Sequence, residues 1–561
     1  LHNLRFCLMA NHILNGGWLN ARSGGIAVPA VILAVSGIAS RLLGILRDWL
    51  LSERFGACAD LDVYFAAFRI PDLIYNILVF GGITVAFLPL FSDYYAKNKE
   101  DAWRFANNTL NVFLGLLVIF CAVLFIFTPQ LVMLIAPGFS AEQLAKTAFL
   151  SRLMFLSPII FGIASIFSGV LQYFRRFLAY SLAAVLYNVG IIAGILFLAP
   201  SIGITGVGVG VVAGALLYLL IQIIPSFECG FKYKPVFNLK EPSLARVFGL
   251  MLPRTAGIAA NQINLIAPTV IASTLPVGSI TVFNLANNIY SLPVGIIGVS
   301  YATAAFASFS KSFSEGRIAD LALKFSSAYR QIGYFAVPAT LLLFIARQEV
   351  VDVLYYHGQF SHYAALMTSA VLGVFCLGIY FTSMMPLMFR LFFALRDTAT
   401  PTITTVASVA ANIFFNYWFV AIFAAGPAED LARRIFGLEG SGDIGVLGLA
   451  LAYGLANALQ FAMLVFLLYR KNAALVRTGE IAVSFFKTVA AGIFMSVTVY
   501  LVIGAMPRHD LWQELLVLAV SSTAGVAVYV LATVLLKSPE IIAIKQALEK
   551  KWNKTNTINQ K

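Results

Sequence analysis

The chain is 561 residues long, 60% hydrophobic and only 11% charged, with mean hydropathy +0.87. That composition excludes a water-soluble globular protein and requires a bilayer as solvent. The formal charge of +13 does not mark a nucleic-acid surface, because the basic residues fall in short connections and alternate between the two sides of the membrane.

Taken in chain order, residues 1–25 are polar and mixed, lack the order of a cleavable signal, and are expected to form a flexible extension. About fourteen transmembrane helices follow, at 26–51, 61–92, 106–129, 147–173, 179–199, 203–226, 248–275, 279–309, 327–347, 363–392, 400–425, 444–469, 483–505 and 512–536. The connections after even-numbered spans carry Lys97, Arg104, Arg175, Arg176, Lys240, Lys311, Arg396 and Arg470 among others, and the tail 541–561 is basic. The opposite side holds Arg47, Arg54, Lys146, Arg433, Arg434 and Arg508. A roughly fourfold excess places both termini in the cytoplasm by the positive-inside rule.

Sliding the chain by about 220 residues exposes an internal repeat. DVYFAAFRIP falls on TVFNLANNIY, YFRRFLAYS on ALRDTATPT, and, after an insertion of about twenty residues, GVGVGVVAG on VLGLALAYG. The common order predicts an all-α integral membrane fold with two six-helix lobes, 26–246 and 247–470, around a central cavity, plus a terminal pair at 471–540.

The first span ends in SRLLGILRD. On a helix Ser40, Arg41, Gly44, Arg47 and Asp48 share one face. Arginine inside a bilayer costs roughly 2.5–3.5 kcal/mol at the helix centre, so such residues normally face a bundle interior or a wet cavity. The next span continues with Asp62, Arg69, Asp72 and Asn76 on one stripe, for which helix-to-helix pairing is the competing structural reading. The seventh span offers Arg254, Asn261, Gln262 and Asn264. The eighth offers Thr281, Asn284, Asn288 and Ser291. On the eleventh, Asn412 and Asn416 stand one turn apart; interhelical glue is the commoner role of such amides, and a cation contact the rarer one. Positive charge in the first lobe and hydrogen-bonding capacity in the second suit an amphiphile with a phosphate-bearing head, since guanidinium forks match phosphate oxygens two at a time.

Cys7, Cys58, Cys121, Cys229 and Cys376 are scattered singly, without metal-ligand spacing, and no nucleophile elbow, HExxH or P-loop stands in a credible context. Neither an enzyme nor a cofactor is expected.

The stretches SRLLGILRD, ADLDVYFAAFRIPD, AFLPLFSDY, NQINLIA, FNLANNIYSLPVGIIGVS, YYHGQFSHYAA and FRLFFALRDTATPT, in that order, resemble the MurJ (MviN) family of lipid II flippases in the multidrug/oligosaccharidyl-lipid/polysaccharide exporter superfamily, from about residue 28 to about residue 540. The resemblance implies alternating access that carries undecaprenyl-pyrophosphate-linked peptidoglycan precursor from the inner to the outer leaflet of a bacterial inner membrane, with the terminal helix pair grooved for the polyprenyl tail. The family's essential first-helix serine and arginines correspond to Ser40, Arg41 and Arg47, and its second-helix aspartate to Asp62. Three positions depart from the family pattern: Tyr75 replaces a basic residue, Phe80 a glutamate and Asn288 an arginine, with Arg69 and Arg254 as candidate compensating charges. The alternatives are an exporter of another lipid-linked oligosaccharide and a non-transporting membrane scaffold. No acidic residue lies well inside a span of the second lobe, which favours sodium or the membrane potential over proton antiport as the driving force. Expected partners are lipid II, the membrane and the cell-wall synthesis machinery, with no nucleic acid.

Overall fold

The computed structural model describes residues 27–542 apart from 425, 441, 508 and 509, together with 545, 546 and 549. The expected N-terminal extension and most of the basic tail lie outside the described residues. Every regular element among the described residues is helical.

The chain divides into two units, Leu1–Ile280 and Thr281–Lys561. The first contains α1 (Ala27–Phe55), α2 (Ala59–Ile74), α3 (Thr84–Lys97), α4 (Lys99–Ile126), α5 (Thr128–Ile135), α6 (Ala141–Met154), α7 (Leu156–Tyr173), α8 (Phe177–Ala193), α9 (Ala199–Ile202), α10 (Ile204–Glu228) and α11 (Pro242–Ala272). A π-helical stretch, Tyr75–Ile83, joins α2 to α3, and a shorter one, Gly194–Leu198, joins α8 to α9. The division falls inside α12 (Ser279–Pro293), which runs through the π-helical Val294–Val299 into α13 (Ser300–Ser314). Then come α14 (Ile318–Ile345), α15 (Arg347–Tyr355), α16 (His362–Ala394), α17 (Ala399–Ala424), α18 (Pro427–Phe436), α19 (Val446–Lys471), α20 (Thr478–Ala505) and α21 (Leu511–Leu535). Among the described residues twelve helical stretches are long and apolar enough to cross a membrane. Helices α1 and α11 stand at the expected first and seventh spans but are not among those twelve. By the repeat, α11 was expected to open the second lobe; its contacts, with α2, α3 and the Tyr75–Ile83 stretch, group it with the first unit.

Local chemistry explains several boundaries. Asn98 caps α4 by accepting from the Glu100 amide at 2.9 Å, and Ser140 with Gln143 forms a reciprocal capping box on α6. At two ends the repeat is visible in the backbone itself. Arg175 and Arg396 both adopt left-handed φ, 57° and 60°. In each case the next amide reaches back to the last turn: Arg176 to the Leu171 carbonyl at 2.8 Å, and Asp397 to that of Phe392 at 2.9 Å. These are matching Schellman stops. Asp397 then caps α17, accepting from the Thr400 amide at 3.0 Å, from the Thr400 hydroxyl at 2.6 Å and from Lys471 Nζ.

Two features set the packing of the first unit. Helices α8 and α10 meet along a glycine seam. A Cβ on Gly190 would stand 2.3 Å from the Gly214 Cα, and one on Gly194 would stand 2.6 Å from the Gly210 Cα, so only glycine permits this approach. Second, the connection between α10 and α11 is held against α4 by three asparagines. Asn107 donates to the Lys232 carbonyl and accepts from the Lys234 amide; Asn108 does the same with both backbone groups of Asn238; Asn111 donates to the Val236 carbonyl. Side-chain amides thus satisfy a peptide strap that has no ladder of its own. In the second unit α17 runs along α19, as α8 runs along α10, and α20 packs on α14 and α21.

Candidate functional site

The charged end of α1 is drawn toward α8. Arg47 donates through Nε and Nη2 to Asp48 Oδ1 at 2.9 and 2.8 Å; the aspartate is buried, while 24% of the arginine side chain stays exposed. Arg47 Nη1 also reaches Asn188 Oδ1 on α8 at 3.5 Å. Asn188 Nδ2 returns to Ser40, donating to its hydroxyl at 3.2 Å and its carbonyl at 3.3 Å. One asparagine therefore bridges Ser40 and Arg47, two residues that the helical stripe had placed together. Arg41 departs from this group: it is exposed, with no hydrogen bond or ion pair among the described residues.

On α2 the expected stripe divides by depth. Asp62, 3% exposed, accepts from the Gly278 amide at 2.6 Å, which ties the start of α2 to the turn before α12. Gly278 has φ +93°, a conformation that suits glycine. Arg69 donates through Nε to Thr269 Oγ1 on α11 at 2.8 Å, and Gln262 Nε2 reaches the Asp72 carbonyl at 3.5 Å. Arg69 and Gln262 thus belong to one α2–α11 contact. Arg254 also lies on α11, and its side chain is outside the described residues.

Arg47 and Asp72 both border a cavity of about 250 Å³ inside the first unit. Its aromatic wall is assembled from four helical segments around Phe161 of α7. The Phe161 ring lies 5.0 Å from Tyr75, 5.3 Å from Tyr187 and 5.1 Å from Tyr218, the last two edge to face. Among the described residues the Asp72 carboxylate makes no direct ion pair, and Arg69, one turn before it on α2, is the basic side chain that acts on it electrostatically.

Asn288 belongs to the second unit, where its carbonyl accepts from the Ser291 hydroxyl at 2.9 Å. Asn412 and Asn416 are fully buried on α17, with Asn416 Nδ2 donating to Asn412 Oδ1 at 2.9 Å. That leaves Asn412 Nδ2 and Asn416 Oδ1 without partners among the described residues. A cation there finds one open amide oxygen rather than a shell, and no group of three or more His, Cys, Asp or Glu suited to a metal occurs among the described residues. The second unit also holds an apolar cavity of about 330 Å³, bordered by Phe325, Tyr329, Tyr380, Met388, Ile481 and Phe485. Beside it, Arg330 lies 3.6 Å from the buried carboxylate of Glu540, which also accepts from Ser484 at 2.9 Å.

Sequence reasoning did not single out Asn188, Tyr187, Phe161 or Tyr218. The one available signal was the polar pair Tyr187 and Asn188 inside the apolar run LAAVLYNVGIIAG.

The family model described as lipid II flippase MurJ matches residues 51–523. A probable lipid II flippase MurJ of Buchnera aphidicola (subspecies Schizaphis graminum) is 27% identical over 449 residues, covering 79% of this chain and 83% of the relative. The lipid II flippase MurJ of Burkholderia cenocepacia is 26% identical over 458 residues, with the same coverage of 79% and 83%. Among solved structures, a lipid II flippase MurJ in an inward closed conformation superposes with TM-score 0.72 at 22% identity, covering 90% of this chain and 99% of that one. An inward-facing multidrug-resistance MATE transporter of the MOP superfamily superposes with TM-score 0.61 at 15% identity, covering 77% of this chain and 95% of that one. The structural likenesses show a shared fold, and the family model spans most of the sequence: the chain is a multi-pass membrane protein that belongs to the lipid II flippase MurJ family.

Proposed function

We propose that this protein is a lipid II flippase, moving undecaprenyl-pyrophosphate-linked peptidoglycan precursor from the inner to the outer leaflet of a bacterial inner membrane by alternating access. The observation that carries this reading is the family match over residues 51–523, on a chain whose first long helix brings Arg47 to a cavity wall. Dragging a sugar-pyrophosphate head through about 30 Å of hydrocarbon is prohibitive without polar groups along the way. Ser40, Arg41, Arg47, Asp62, Arg69, Arg254, Gln262 and Asn288 are the residues assigned to head-group binding. Among the described residues Arg41 is a cation available to a pyrophosphate without breaking any pairing. Arg47 has two donors on Asp48, so a phosphate must displace that carboxylate to reach the same nitrogens.

The polyprenyl tail is assigned to the terminal region 471–540, and the apolar cavity bordered by Ile481 and Phe485 of α20 supports that assignment. Both termini are placed in the cytoplasm, on the distribution of Lys and Arg among the connections. Coupling to the membrane potential or to sodium belongs to the same proposal, with Asn412 and Asn416 as candidate ion contacts. Contacts with the cell-wall synthesis machinery are a further expectation of this role.

The test is complementation of a bacterium depleted of its own lipid II flippase, with lipid II on the inner leaflet measured alongside growth. Restored growth and normal inner-leaflet lipid II are expected. A chain that reaches the membrane yet leaves lipid II accumulated there would overturn the assignment. Reporter fusions to each end test the topology.

A further inference from the structure

The strap between α10 and α11, residues 231–241, presents a face that head-group binding does not use. It starts at Phe231, which is buried edge to face against Trp103 and Phe167, and then runs along one side of α4. Asn107 holds the backbone of Lys232 and Lys234, Asn111 that of Lys234 and Val236, and Asn108 that of Asn238 on the way back. Pro235, in the descending limb, has no amide hydrogen to satisfy. Irregular backbone at membrane depth is tolerated only where protein groups take its donors and acceptors, and the three asparagines do so here.

The strap's outward side chains divide into two kinds. Lys232, Lys234 and Lys240 are exposed and make no ion pair among the described residues, while the acid of the strap, Glu241, is turned back to accept from Asn108 at 2.7 Å. Phe237 and Leu239 are 61% and 66% exposed. Their depth is marked by α4: a Cβ on Gly115 would stand 3.7 Å from Phe237 Cε2. Gly115 follows Asn107 by about two turns, or about 12 Å, and lies past Asn111, the last polar side chain before the apolar run 112–127. One turn further on the same face Ile119 is 65% exposed, so this side of α4 continues into lipid rather than into the protein interior.

We propose that residues 231–241 are an anchor for anionic phospholipid, with Phe237 and Leu239 set among the acyl chains and Lys232, Lys234 and Lys240 at the phosphates. Apolar side chains immersed beside cations that reach the head-group level are the pattern of an interfacial segment. A protein partner covering the strap would have to enter hydrocarbon beside Gly115. A zwitterionic lipid would serve the two apolar side chains and leave three cations without counter-charge. The anchor concerns the α10–α11 connection and not the cargo, so it stands whichever lipid-linked substrate the chain carries.

The experiment places a photoreactive benzophenone amino acid at Phe237 in the full chain, reconstituted in nanodiscs of equal parts phosphatidylglycerol and phosphatidylcholine, and reads the lipid adducts by mass spectrometry after illumination. Phosphatidylglycerol adducts are expected to exceed phosphatidylcholine adducts about fivefold, the contribution of one lysine at an anionic surface. Combining Lys232→Gln, Lys234→Gln and Lys240→Gln should bring that ratio to about one while adducts of both lipids persist. The same probe at Ile126, exposed at the far end of α4, should give a ratio of about one with and without the three substitutions, which separates loss of the anchor from misfolding. Absence of lipid adducts at position 237 overturns the proposal, as does a ratio near one in the wild type or one that the three substitutions leave unchanged. Illumination in whole cells that yields a protein adduct in place of lipid also overturns it and assigns the strap to a protein partner.

Discussion

A single methyl group added at Gly190 puts the seam between α8 and α10 to a severe test. The new Cβ would lie 2.3 Å from the Gly214 Cα, 2.4 Å from its amide nitrogen and 3.1 Å from the Ala213 carbonyl carbon. Carbon atoms settle at about 3.5–4.0 Å, so the helices must part by more than 1 Å. No rotamer change relieves this, because all three obstacles are backbone. Overpacking typically costs about 1–3 kcal/mol, and backbone obstacles place Gly190→Ala at the upper end. Replacing a helical glycine by alanine returns about 0.8–1 kcal/mol of propensity. The net expectation is a loss of about 2 kcal/mol. Gly44→Ala is the control, since a Cβ there meets nothing within 4 Å and only the propensity gain remains. Thermal unfolding in detergent, followed by a thiol-reactive dye reporting on the buried Cys121 and Cys376, measures both variants against the wild type. Transport should fall with Gly190→Ala, because the displaced helix carries Tyr187 and Asn188. Should Gly190→Ala unfold at or above the temperature of Gly44→Ala, close glycine packing does not hold these helices together and the reasoning is refuted.

Asn188→Ala removes the bridge between Ser40 and Arg47; a stability loss of about 1–2 kcal/mol and reduced complementation are expected, whereas Asn188→Asp should add a second anion for Arg47 and slow transport with less loss of stability. Arg47→Lys keeps the charge but loses the planar fork, so complementation should fall nearly as far as with Arg47→Ala. Burial works against the Asp397 carboxylate, but Lys471 and the hydroxyl and amide of Thr400 outweigh it and hold the pKa down at about 2. A depressed folded-state pKa contributes stability that is fully present above the ordinary carboxylate value near 3.8 and fades as pH falls toward 2. The difference in melting temperature between wild type and Asp397→Asn should therefore be flat from pH 5 to 8 and shrink below about pH 4.

The spans and the charged end of α1 were legible because intramembrane helices must be apolar and any exception stands out. Arg47 is such an exception, and so is Asp72. The repeat that sets YFRRFLAYS on ALRDTATPT was readable as well, and the matching backbone stops at Arg175 and Arg396 fall at equivalent places in it. The partners of these residues were not readable. Asn188 is one amide in an apolar run, and only the approach of α8 to α1 places it between Ser40 and Arg47. Phe161, Tyr75, Tyr187 and Tyr218 converge from segments far apart in sequence, and aromatic residues in a membrane helix look alike whether they face lipid or a cavity. The grouping of α11 with the first unit was hidden for a related reason, since a repeat in sequence fixes the shape of an element and not which neighbour it packs against.

The wide turns of the helical spans carry a mechanical consequence. Tyr75–Ile83 and Val294–Val299 begin about one repeat period apart, so each unit bears such a turn at an equivalent point along its chain. A π turn stores one residue more than an α turn. Letting that surplus residue slide along the helix rotates the stretch it passes through by roughly 100° and shifts it by about 1.5 Å, leaving the helix on either side in register. Each unit thus contains a place where such a slide would re-aim the side chains it passes without unwinding the helix in lipid.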